Sequence, residues 1–200
     1  MAGLDALNTP SAAEELRAAL SASQLTQSAF AAALGTSQPR LSTYLSGRVS
    51  PSASFFVRAR RISKALEELA RLHVLSAPTL SAALRSALLK SDEDWAFRLL
   101  MQGRDHLQFV LARHPDLTAG WIAVPLSAGR IEWDTLTAGI VAHEFTLVAL
   151  EPPRWTRRDP LKVAWDFPSV LLAADEVRAA TPDWLACLNI FLPARDLVTA

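Results

Sequence analysis

Within residues 25–52, side chains that make directional hydrogen bonds stand close together: Gln27, then Ser37, Gln38, Arg40, Thr43, Ser46 and Arg48. A glutamine amide can bond an adenine edge in two places. A guanidinium fork can do the same to guanine, or hold a phosphate. Threonine can hydrogen-bond a base or touch a thymine methyl. The charge around these residues suits such a partner. Residues 16–66 carry seven basic side chains (Arg17, Arg40, Arg48, Arg58, Arg60, Arg61, Lys64) and no Asp or Glu. In a chain of net charge zero, such a window implies a polyphosphate.

Helices must position these groups. Ser11-Ala-Ala-Glu14 has capping-box spacing, which predicts a first helix to about residue 20 that buries Leu16 and Leu20. Thr26 can cap a second helix over 27–34, with Phe30, Ala31 and Leu34 on one face. Gly35 ends it in a left-handed turn. Ser37 or Gln38 opens a third helix, with Pro39 in its first turn, where a missing N–H costs nothing. Leu41, Tyr44 and Leu45 form its buried face, and Gly47 ends it. After Pro51, Ser52 or Ser54 starts a long helix to about residue 73, with Phe55, Phe56, Ile62, Leu66 and Leu69 as its packing stripe.

The run LTQSAFAAALG followed by TSQPRLSTYLSGRVSPS resembles the Cro/C1 (phage-repressor-like) helix-turn-helix family. The resemblance implies a five-helix DNA-binding domain, here with a long fourth segment replacing or extending the last two helices. It implies a phosphate contact from Gln27 and a small Ala31 where two helices cross. Gln38, Pro39, Arg40 and Thr43 would face the major groove, with Ser37 at the helix start also among the DNA-binding residues. Pro39 offers only apolar contact, a departure from the polar residue often found there. Ser46, Arg48 and Ser50 would lie on backbone phosphates. Such domains bind palindromic double-stranded DNA as homodimers. Arg58, Arg60, Arg61 and Lys64 either extend the phosphate contacts or form a solvated basic face. Glu67 and Glu68 could pair with Lys64.

The remainder differs in character. Residues 67–200 hold 13 bases and 17 acids, and all six tryptophans lie between 95 and 184. The expected organisation is a DNA-binding domain over 1–75 and an acidic, Trp-rich, mostly helical domain over 76–200 for partner binding or dimerisation. The fold class is therefore mainly α. Ser76-Ala-Pro-Thr79 reads as a hinge, and helices are expected over 79–90, from Ser91-Asp-Glu-Asp94 towards His114, and over 134–150, 169–180 and 182–189. Trp121-Ile-Ala-Val-Pro125 reads as an extended piece and 161–170 as irregular or extended. Most tryptophans are expected in the core. Trp155, beside Pro152, Pro153 and Arg154, is the best candidate for a partner contact.

Catalytic patterns are missing. His143-Glu144 opens like a zinc-protease motif but lacks the second histidine four residues on. There is no Gly-rich phosphate loop and no nucleophile elbow. The single cysteine, Cys187, excludes an internal disulfide and reads as a small buried apolar residue. His73, His106 and His114 read as surface or capping groups. The expectation is a cytoplasmic protein with no enzymatic activity, cofactor, metal or membrane association.

Trp133-Asp-Thr-Leu-Thr-Ala-Gly-Ile-Val-Ala-His143, Pro152-Pro-Arg-Trp155, Thr181-Pro-Asp-Trp184 and Asn189-Ile-Phe-Leu-Pro-Ala-Arg-Asp-Leu197 resemble the C-terminal region of helix-turn-helix proteins that accompany nucleotidyltransferase-type toxins. The resemblance implies an antitoxin that represses its own promoter and binds a cognate toxin protein. The alternative is a ligand-responsive transcriptional regulator with a C-terminal sensor domain.

Overall fold

A hydroxyl stands at the start of each of the first five helices. In the computed structural model, which describes residues 11–167 and 172–198, α1 (Ala12–Ser23), α2 (Gln27–Ala33), α3 (Gln38–Leu45), α4 (Ala53–Arg71) and α5 (Ala77–Leu89) begin after Ser11, Thr26, Ser37, Ser52 and Ser76. Each of those side chains accepts a backbone N–H from the first turn. Such a cap stabilises a helix by about 1 kcal/mol. α1 runs three residues past the expected Leu20 and stops where Gln24 turns left-handed, at φ 56°. α5 starts before the expected Thr79, because Ser76 takes the cap and Thr79 returns a bond of 2.8 Å to the Ser76 N–H.

Asp92, rather than Ser91, caps α6 (Glu93–Arg113). Residues 121–122, expected to be extended, instead close the short helix α7 (Ala119–Ile122). α7 packs against α4 at Gly120, where an added Cβ would lie 2.4 Å from a Leu69 methyl. α8 (Ile131–Leu147) begins three residues before Asp134, whose carboxylate instead secures the preceding loop. It accepts from the Ser127 hydroxyl at 2.5 Å and the Ala128 N–H at 2.8 Å. α9 (Ala174–Ala179) and α10 (Asp183–Ala186) are shorter than expected. The chain leaves α10 through a left-handed Asn189 to form β2 (Ile190–Phe191), parallel to β1 (Trp165–Asp166). Residues 1–10 of the expected first domain and 168–171, including the expected start of a helix at Ser169, lie outside the described residues.

The core is continuous. α1 lies along α4, tied by the Ser63 hydroxyl donating to the Ala19 carbonyl at 2.8 Å. α4 also packs on α7, and α5 on α6. Trp121 and Trp133 are fully buried, with Trp133 packed among Trp165 and Phe167. Trp155, Trp165 and Trp184 are half-buried against this core, whereas Trp95 is 50% exposed. Cys187, expected to be buried, is exposed. His106 caps the segment between α4 and α5: its Nδ1 accepts the Leu75 N–H at 2.9 Å. Burial holds this imidazole below the usual histidine range, against the opposing pull of Asp105. Among the described residues no helix is long and apolar enough to cross a membrane.

One charge pair sits inside this core. Glu144 on α8 accepts from Arg104 on α6 at 2.6 Å and from Gln108 at 3.0 Å. Arg104 also donates to the Leu197 carbonyl, so the pair anchors the C-terminal segment. The Glu144 side chain is 4% exposed. A lone guanidinium left among α6, α8 and the C-terminal segment would be costly. Glu144→Ala is expected to destabilise the protein by about 3–5 kcal/mol in urea unfolding, whereas Arg104→Met with Glu144→Leu recovers most of that loss.

Candidate nucleic-acid interface

Burial of one face of α2 and α3 decides what the other face offers. Phe30, Ala31, Leu34 and Leu41 are at most 1% exposed. The turn between the helices closes through Gly35, at φ 64°, whose N–H donates to the Ala32 carbonyl at 2.7 Å. The next N–H, of Thr36, donates to the Ala31 carbonyl at 2.9 Å. A side chain at that φ would be strained, which is why glycine stands there. α3 is thereby fixed with Gln38, Pro39 and Arg40 exposed and Thr43 half-buried.

The hydrogen-bonding capacity of these residues differs. Among the described residues, the Gln38 and Gln27 amides have no recorded partner and are free for another molecule. The Ser37 hydroxyl accepts the Arg40 N–H at 3.4 Å and caps the helix. The Thr43 hydroxyl donates to the Arg40 carbonyl at 2.7 Å. Ser46 donates to the Thr43 carbonyl at 3.1 Å, and Arg48 Nε donates to the Ser46 hydroxyl at 3.0 Å. The loop after α3 is thus tied back to its last turn. Of the eight sequence-predicted residues, Ser37, Gln38, Pro39, Arg40, Thr43, Ser46 and Arg48 lie on α3 or its two flanks. Gln27 opens the preceding helix.

Arg40 is held in place. Its Nε donates to the Tyr44 hydroxyl at 2.8 Å, and its guanidinium lies over the Tyr44 ring, 5.8 Å from the centroid. Tyr44 packs on Phe55 of α4 at 5.1 Å, and the Arg58 guanidinium lies over Phe55 at 5.6 Å. Two cations therefore flank one aromatic pair. Between them lies a cleft of about 210 Å³ lined also by Gly35, Thr36, Ser52 and Ser54. Arg58, Ser52 and Ser54 were legible as a basic residue and a helix start, but their approach to Arg40 was not, because it runs through the Tyr44–Phe55 contact.

Few of the basic side chains are neutralised. Arg60 reaches Glu15 at 3.9 Å, and Arg17 donates to the Leu45 carbonyl at 3.0 Å. Glu68 pairs with Arg71, not with Lys64 as the spacing allowed. Among the described residues, no carboxylate lies within ion-pair distance of Arg40, Arg48, Arg58, Arg61 or Lys64. The exposed face of α3 and the flank of α4 form a surface rich in uncompensated donors.

The other singled-out residues lie elsewhere. Trp155 donates its indole N–H to the Trp121 carbonyl at 3.1 Å, which fixes the ring against the core. His143 stacks on Trp184 with centroids 4.3 Å apart. Burial lowers its basicity, and Arg104 lowers it further against the pull of Glu144. The Glu144 carboxylate is committed to Arg104 and Gln108. Among the described residues, no three His, Cys, Asp or Glu side chains gather as metal ligands.

Comparison with known proteins bears on the N-terminal part. No curated protein matches the chain, and no solved structure does. A family model described as a helix-turn-helix domain matches residues 11–84. That match spans α1 to α4 and most of α5. This segment is a helix-turn-helix DNA-binding domain, in keeping with its resemblance to the Cro/C1 type.

Proposed function

We propose that the protein is a sequence-specific transcriptional repressor that docks α3 in the major groove of a palindromic operator as a homodimer. The observation that carries this reading is the row of exposed side chains on α3, beside basic residues without carboxylate partners. Gln38 and Arg40 read base edges, with Arg40 pre-oriented by Tyr44. Pro39 and Thr43 line the groove, Ser37 supports the helix start, and Gln27, Ser46 and Arg48 hold backbone phosphates. Repression follows from occupying promoter DNA, without chemistry on it.

The second half of the proposal concerns the partner. The sequence resemblance of the C-terminal region supports an antitoxin that represses its own promoter and binds a cognate toxin. A toxin surface is proposed at Trp155 and in the segment leading to it, where Leu147, Val148 and Leu150 are exposed. The alternative, a ligand-responsive regulator, has one observation in its favour: an open groove beside α2.

Two experiments test these halves. Gln38→Ala and Arg40→Ala are each expected to cost about 1–3 kcal/mol in operator binding and to relax base preference. Gln27→Ala and Arg48→Ala should weaken all duplexes alike and reduce the salt slope by about one. Wild-type behaviour of all four variants in gel shifts would remove the docking geometry. For the partner, co-purification with the product of the neighbouring gene is expected, with a changed shift on their shared promoter. Promoter binding that is indifferent to that product would leave a regulator without a toxin.

A further inference from the structure

The groove beside α2 has a cavity of about 440 Å³. Leu25 and Ala29 form one wall, Pro78 and Ala82 of α5 the other, and Leu126 flanks them. Leu126 is 46% exposed, so the groove presents apolar surface to water. The Ser81 hydroxyl, also in the lining, is already spent on the Leu126 carbonyl, which ties the loop to α5.

One cation stands in this apolar setting. Among the described residues, Arg85 makes only a long hydrogen bond, 3.4 Å, to the Ser127 carbonyl. Among the described residues no carboxylate lies within ion-pair distance of it. Asp134, which reaches the same loop, is committed to the Ser127 hydroxyl and the Ala128 N–H. Apolar walls with a single uncompensated guanidinium complement a molecule with an apolar body and one negative charge.

We infer that this groove binds a small amphipathic monocarboxylate, its tail between Leu25, Ala29, Ala82 and Leu126 and its head on Arg85. Occupancy opposes DNA binding. Thr26, the cap of α2, lines the groove, and Gln27 follows it at the proposed phosphate contact. A carboxylate there cancels the Arg85 charge and so removes one positive charge beside a surface that meets phosphates. Only this coupling, not the ligand site, rests on the DNA-binding reading. Linkage requires that operator DNA weaken the carboxylate by the same factor.

Calorimetric titration of the full-length protein with octanoate tests the site, with octanol as the uncharged control and acetate as the head group alone. Octanoate is expected to bind one per chain, about tenfold tighter than either control. Arg85→Gln should cost octanoate about tenfold and leave octanol unchanged. Ala82→Trp, at an exposed position of α5, should abolish both by filling the groove. Octanoate should lower duplex affinity about fivefold. Octanoate binding no tighter than the controls, or unchanged in both variants, would overturn the proposal. Octanoate binding without an effect on the duplex would overturn the coupling. Octanoate binding by a protein that binds no duplex would remove the DNA reading and leave the site standing.

Discussion

The dry contact beneath α2 and α3 constrains everything the domain presents. Phe30, Leu34 and Leu41 are sealed from water, and α1 packs against both helices. Burial of each of these side chains contributes about 1.5–3 kcal/mol. A rotation of α3 that exposed Leu41 would forfeit that contribution and open a cavity. The outward direction of Gln38, Pro39 and Arg40 is therefore set from inside. The left-handed Gly35 supplies the sharp turn that lets the two helices meet over so short a connection.

The same economy extends outward from the domain. α4 packs against both α1 and α7, so the helix-turn-helix segment shares a core with the rest of the chain. The Val124 N–H reaches the Ala33 carbonyl at the end of α2, at 3.4 Å. A change in the segment around residues 119–127 therefore has a physical route to α2. Arg40 shows the arrangement in miniature. Its orientation depends on Tyr44, which rests on Phe55 of α4, and Phe55 in turn carries Arg58. Holding a guanidinium before contact reduces the entropy lost when it binds.

Local signals were the legible ones. Caps at Ser11, Thr26 and Ser52, the break at Gly35 and the apolar face of α2 need only a few neighbouring residues, and the helices start where those residues stand. Ser76 and Thr79 were harder, since either hydroxyl can cap; the structure uses both, each bonding the other's N–H. Trp121 reads as extended because a four-residue helix has no periodicity, and its conformation comes from packing on α4. The exposure of Cys187, the parallel pairing of Trp165 with Ile190, and the Arg104–Glu144 pair, 40 residues apart in sequence, are products of tertiary contact. Local pattern carries no trace of them. At the candidate interface, side-chain types were readable from the sequence, but the support of Arg40 by Tyr44 and Phe55 was not.

The most direct measurement of the central claim is selection of duplexes from a randomised pool by the full-length protein, followed by guanine N7 methylation interference on the enriched sequence. An α3 that reads the major groove predicts a short enriched motif in two-fold repeat, with a guanine whose N7 methylation blocks wild-type binding and no longer matters to Arg40→Ala. Absence of enrichment at low salt, or enrichment indifferent to N7 methylation, would contradict it.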